Sequence, residues 1–169
     1  MSQELSRLAT IGRDVPSGRD GRQLWETAAE HGLVCLIHSG FTRLGANLPG
    51  GEGVGLEQAR PIHVDRVAAA HPGLKIILAH SGALWLDEAI AVAVHKSNVH
   101  LCLSGLSPKT MGPELLDLIR GPLRNRVHFG SDYPFGTPDG WIAEWDSLGL
   151  PEAVSRAVMV DNVAALLAS

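Results

Sequence analysis

Three short stretches of this chain end in side chains suited to metal or proton chemistry. LVCLIHSG delivers His38, KIILAHSG delivers His80, and VHFGSDYPF delivers Asp132. Each is an apolar run of strand length, closed by an imidazole or a carboxylate beside a small-residue turn. Two imidazoles and a carboxylate are donor types that a divalent-metal site uses, and the same groups pass protons near neutral pH. Either histidine alone would read better as structural, but a third strand ending in the matching place makes the three a set. Asp132 could instead cap a helix or close an Asx turn, but the Tyr133-Pro134 that follows disfavours a helix start there. Trp85 and Tyr133 follow the site-bearing turns and are candidates to line a substrate pocket.

These residues must be held by strands, and the pattern supplies them. Leu33–Ile37, Leu74–Ala79, Asn98–Leu103 and Arg126–Gly130 read as four strands, the first two as continuous apolar runs of the kind buried on both faces. Helical segments alternate with them over Gly21–His31, from Pro61 to His71, over Ala83–His95 and over Met111–Arg120. Three more follow the last strand: one started by Thr137-Pro138 with Trp141 and Trp145 on one face, one from Pro151, and a short last one capped by Asp161 or Asn162. Strands separated by ten or so helical residues imply βαβ units and a parallel sheet, an α/β fold whose ligands bind at the carboxyl ends of the strands. Strict alternation places His38 with Leu36, His80 with Leu78 and Asp132 with Gly130, so all three are expected to point the same way. Residues 1–20 read as a loose polar arm and 21–169 as the folded domain. The Gly-rich stretch from Ser39 to Ala59 shows no period, and a loop that long is usually functional, a lid or rim.

Composition excludes other classes. The 169 residues are 45% hydrophobic and 19% charged, which are globular proportions. A net charge of −4 with no Lys/Arg cluster excludes a nucleic-acid surface. No secretory h-region and no run of 18 apolar residues is present, so no membrane partner and a cytoplasmic location are expected. Cys35 and Cys102 sit inside strands without zinc-knuckle spacing and read as reduced core residues. No GxxxxGK loop and no GxSxG elbow occurs. The other histidines read as structural: His31 and His71 at helix C-termini, His63 and His95 on solvent faces of helices, His100 and His128 as core residues in mid-strand.

Taken in order, VCLIHSG, HPGLKIILAHSGALWLDEA, NVHLCLSG, RVHFGSDYPF and VMVDNVAALL resemble the amidohydrolase-related family of metal-dependent hydrolases and decarboxylases, to which aminocarboxymuconate semialdehyde decarboxylase belongs. The resemblance spans about residues 14–168. It implies the C-terminal half of a (β/α)8 barrel, strands five to eight, with the first half absent. It also implies that His38 and Asp132 are metal ligands and that His80 and Asp132 handle protons. A divalent ion, zinc first and manganese as the alternative, would lower the pKa of its water to ~7. The implied reaction is hydrolysis of a small carboxylated or ketone substrate. Non-oxidative decarboxylation of an aromatic or muconate-like acid is the alternative, and a catalytically dead binding module is the rival from another class. The family's first-strand His-x-His pair has no counterpart in this sequence, so self-association or a missing N-terminal half is expected to complete the barrel.

Overall fold

The structure is a computed structural model that describes residues 8–11 and 18–168. Its centre is one parallel sheet of five strands whose spatial order follows the chain: β1 (Leu8–Ile11), β2 (Val34–Gly40), β3 (Lys75–Ala83), β4 (Val99–Cys102) and β5 (Val127–His128). The helices are α1 (Gly18–Glu30), α2 (Val64–Ala70), α3 (Leu86–His95), α4 (Pro113–Arg120), α5 (Pro138–Asp146), α6 (Glu152–Arg156) and α7 (Asn162–Ala168). Four strands match the sequence expectation. The fifth does not: β1 lies inside the segment read as a loose arm and pairs in parallel with Val34–Ile37 of β2. Four residues between polar neighbours are too few to show a strand period. Counted back from the last strand, β1 takes the place of a fourth barrel strand rather than an arm.

The two faces of the sheet are packed by different elements. Cys35, Ile37, Ile76, Leu78, Val99, Leu101 and Val127 point to the helix side, where they meet Trp25, Val64, Val92, Leu115, Ile119 and Trp145 in one buried core. Fully burying each of the larger of these side chains stabilises the fold by roughly 1.5–3 kcal/mol. On the opposite face, Val34 and Ile77, with Leu36 and Cys102, pack against Leu166 and Leu167 of α7. The C-terminal helix therefore covers part of the face that a closed barrel would turn inward.

Side-chain polar groups are spent on holding the ends of elements. Thr137 accepts a hydrogen bond from the Gly140 N–H at 3.3 Å, as expected of a cap at the start of α5. Trp141 and Trp145 stack at 5.2 Å, and their indole N–H groups donate to the Leu106 carbonyl at 2.9 Å and the Ser155 hydroxyl at 3.1 Å. The expected cap before the last helix is absent. α6 runs through a π-helical turn, Ala157–Asp161, straight into α7. Asn162 instead donates to the carbonyls of Arg124 and Val127, each at 2.7 Å, tying α7 to the start of β5.

Candidate active site at the strand ends

His38, His80 and Asp132 come together at the carboxyl ends of β2, β3 and β5. The two imidazoles lie edge to face with ring centroids 4.9 Å apart. Asp132 Oδ1 is 3.9 Å from His80 Nδ1. The expectation that the three share a face is met, but strand alternation is not the reason. Leu36 belongs to the inner face and Leu78 to the helix side, so regular alternation from Leu78 would send His80 away from His38. A left-handed backbone at His80 (φ 62°) and Ser81 (φ 46°) turns the chain instead, and Asp132 is left-handed as well (φ 62°). Non-glycine residues with such φ are uncommon and need a surrounding structure that holds them.

That structure is a belt of Ser and Gly at the strand ends. Ser39 donates to the Ala79 carbonyl at 2.6 Å and Ser81 to the Cys102 carbonyl at 2.9 Å, so each serine after a site histidine bonds to the next strand. Ser104 accepts the His80 backbone N–H at 3.2 Å, and its own carbonyl accepts from His80 Nδ1 at 3.2 Å. Glycines allow the close approach. A Cβ on Gly40 would stand 2.5 Å from the Ala83 nitrogen, and one on Gly130 would stand 2.6 Å from the Cys102 sulfur. Ser104 and Gly105 are not among the sequence-derived site residues. Their signal is present, since LSG closes the third strand just as HSG closes the two before it.

The electrostatics suit ligand chemistry at His38. Burial, and then the neighbouring His80 imidazole, push His38 below the ordinary imidazole range, with a backbone hydrogen bond at Gly40 and then the Asp132 carboxylate acting in the opposite direction. Its Nε2 is buried and has no hydrogen-bond partner. A buried nitrogen lone pair without a donor costs about 1–3 kcal/mol, and a metal ion would satisfy it. On this count the residues fit the divalent metal that the resemblance implies, with His38 Nε2 and the Asp132 carboxylate as donors. Among the described residues, no group of three His, Cys, Asp or Glu side chains is placed to hold a metal ion. Catalytic zinc sites ordinarily use three protein ligands, so these strands supply part of a set.

The remaining expectations divide. His31, His63, His71 and His95 lie at helix ends or on the surface. His100 and His128 are 9% and 3% exposed and bond to each other, Nδ1 to Nε2, at 2.9 Å. His128 Nδ1 is buried without a partner, so this core pair is not fully satisfied. Trp85 lines a shallow depression of about 420 Å³ with Leu84, Leu86, Asp87 and Glu88, beyond the His80 turn. Tyr133 is 76% exposed and does not line that depression. The long loop after β2 is pinned at its far end, where Arg60 pairs with Glu88 of α3 and with Glu57. Cys35 and Cys102 are free thiols, and burial pushes Cys35 up to about 11.

Comparison with known proteins bears on the fold and the lineage. The sequence profile of the family described as Amidohydrolase matches residues 7–168. Among solved structures, an uncharacterised TIM-barrel protein from Bordetella bronchiseptica is similar with a TM-score of 0.77 at 21% identity, over 96% of this chain and 57% of that one. A candidate 2-pyrone-4,6-dicarboxylic acid hydrolase from Pseudomonas putida gives 0.63 at 20% identity, over 95% and 62%. A dihydroxybenzoic acid decarboxylase from a Polaromonas species, with bound manganese and 2-nitroresorcinol, gives 0.62 at 20% identity, over 89% and 54%. At these identities the likeness establishes the fold, a partial (β/α)8 barrel. The chain spans 54–62% of the length of these three proteins. No curated protein matches it.

Proposed function

This chain belongs to the amidohydrolase family, and from that premise we propose that it serves a metal-dependent hydrolase acting on a small carboxylated or ketone substrate. The observation that carries the reading is His38 Nε2, buried without a partner beside His80 and the Asp132 carboxylate. A divalent metal, when bound, supplies a Lewis acid and lowers the pKa of its water to about 7; zinc is our first assignment and manganese the alternative. His38 would hold it through Nε2 and Asp132 through its carboxylate. His80, its Nδ1 engaged by Ser104, keeps Nε2 to take up or return a proton. Trp85 would form one wall of the substrate site, with Tyr133 at its rim.

The donor set stops at two ligands, which bears on the partner. Among the described residues, β1 pairs only with β2 and β5 only with β4. Further barrel strands would pair at these two edges and bring the remaining ligands, from additional chain or from a second copy. A cytoplasmic location belongs to the same reading. Among the described residues, no helix is long and apolar enough to cross a membrane.

Elemental analysis after growth with added zinc and manganese tests the proposal. The expected result is one metal per completed barrel, lost together with activity in Asp132→Ala. An Asp132→Ala protein that keeps both metal and activity would sink it, and a wild type without metal would mean that this chain by itself is a fragment of the enzyme or a binding module without catalysis. Likeness to the manganese-containing decarboxylase favours a second reading, loss of carbon dioxide from an aromatic acid. Gas release on a panel of aromatic carboxylates separates it from hydrolysis.

A further inference from the structure

We propose that Ser104 and Gly105, at the end of β4, are positioning residues for His80 that fix its imidazole as the Nδ1–H tautomer and leave Nε2 as the basic nitrogen. The inference rests on the reading of His80 as the proton-handling group, but the state of the ring can be measured without turnover.

Nδ1 of His80 faces three oxygens. The Ser104 carbonyl lies at 3.2 Å and can only accept. The Asp132 carboxylate oxygen lies at 3.9 Å and, when ionised, can only accept. The Ser104 hydroxyl lies at 3.3 Å; it accepts the His80 backbone N–H at 3.2 Å and still has its own hydrogen to donate, so it favours neither tautomer. A bare Nδ1 would point its lone pair at the carbonyl and toward the carboxylate, whereas a protonated Nδ1 donates to the carbonyl at 3.2 Å and is favoured by the carboxylate at 3.9 Å. In water the opposite tautomer of histidine is preferred, so this site has to impose the one it needs. Which ring nitrogen is basic follows from the bond the other one makes.

Ser104 also holds the backbone that aims the ring. His80 is left-handed, with φ of 62°, and the bond from its N–H to the Ser104 hydroxyl fixes that turn from the neighbouring strand. Ser104 is 8% exposed, so water does not compete freely for this bond. Gly105 keeps the space open: a Cβ there would stand 2.9 Å from His80 Nδ1 and 3.4 Å from Asp132 Oδ2. Its own φ of 69° already favours glycine. One Ser-Gly pair thus supplies the acceptor, the backbone clamp and the clearance.

The test is long-range proton–nitrogen NMR on protein with nitrogen-labelled histidine. It is run metal-free at a pH where the ring is neutral, with His80→Gln to assign the signal. The wild type is expected to show Nδ1 protonated and Nε2 bare. Ser104→Ala keeps the carbonyl but releases the His80 backbone N–H that aims the ring at it. The population is therefore expected to shift toward Nε2–H and, once a substrate is in hand, kcat to fall by about tenfold with KM little changed. Ser104→Thr, which keeps the hydroxyl, should restore the wild-type signal. A wild-type ring in the Nε2–H form overturns the proposal even if Ser104→Ala fails to fold, as does a folded Ser104→Ala with an unchanged tautomer. If the tautomer is as stated and no metal-dependent turnover exists, the enzymatic reading fails and this inference stands.

Discussion

Two pairs of histidines lie along one sheet, and they are put to opposite uses. His38 and His80 end β2 and β3 and meet edge to face, with centroids 4.9 Å apart and planes at 63°. His100 and His128 sit within β4 and β5 and stack at 5.1 Å with planes at 18°. The stacked pair bonds to itself at 2.9 Å. Burial first of all pushes His100 down to about 3, with His128 and then Arg126 and Lys75 adding to it, and burial pushes His128 down to about 4. The strand-end pair makes no bond between its rings. His80 turns Nδ1 to Ser104 and Asp132, and His38 keeps Nε2 without a partner. Residue type is the same in all four. What differs is the backbone: His100 and His128 continue regular strands, while the chain turns left-handed at His80 and a carboxylate arrives from the turn after β5.

The contrast breaks most decisively if metal follows the wrong pair. In metal-loaded protein, His38→Ala should weaken metal binding by at least ~100-fold, because a first ligand matters no less than the groups that orient it. His128→Ala should leave metal content unchanged in protein that remains folded. Equal metal loss in both variants, read by elemental analysis after dialysis, would erase the distinction.

Acid sharpens the contrast with the next largest effect. Folded His100 and His128 titrate below the ordinary 6.5, so between those values the unfolded chain binds more protons than the folded one. Stability from keeping the pair neutral is full above about pH 6.5 and is lost as pH falls toward 4 and then 3. The loss should amount to a few kcal/mol in all, since each tenfold difference in proton affinity between the folded and unfolded chain is worth about 1.4 kcal/mol. Urea midpoints measured from pH 8 to pH 4 should fall steeply in the wild type and much less in a His100→Phe, His128→Phe double variant. Parallel slopes would mean that other groups set the acid limit.

Much of this arrangement is legible in the sequence, and the failures have physical causes. Four strands can be read because buried parallel strands are near-continuous apolar runs, as CLI and KIIL show. The site residues can be read because each closes such a run. β1 escapes because four residues leave no period. The face of His80 follows from alternation only where alternation holds, which it does not at a left-handed residue, and nothing in IILAHSG marks the reversal until the contact with Ser104 is seen. The LSG turn marks the place of Ser104 but not its part, which depends on a neighbour 24 positions away that local pattern does not encode. The missing cap at Asn162 is similar, since its amide serves the Arg124 and Val127 carbonyls across 38 and 35 positions.

The smallest effect carries the sharpest sign. Leucine in place of either His38 or His100 removes one imidazole of nearly the same size from the same sheet, yet the two changes should move stability in opposite directions. His38 Nε2 has no partner, so in metal-free protein its removal takes away an unmet polar group; with the lost backbone bond at Gly40 set against it, the change should stabilise the fold by at most about 1 kcal/mol. Removing His100 strips His128 Nε2 of its 2.9 Å partner in a site where His128 Nδ1 already lacks one, and should cost about 1–3 kcal/mol. Denaturant unfolding at pH 8, well above the range in which His100 and His128 take up protons, isolates this from the acid effect. If His38→Leu destabilises as much as His100→Leu, the strand-end histidine is held by its packing, and the unpaired nitrogen is not a group kept unpartnered for a ligand. If the signs differ, the fold gives up stability at the one position where a metal would return it, the usual signature of a site kept for function rather than for folding.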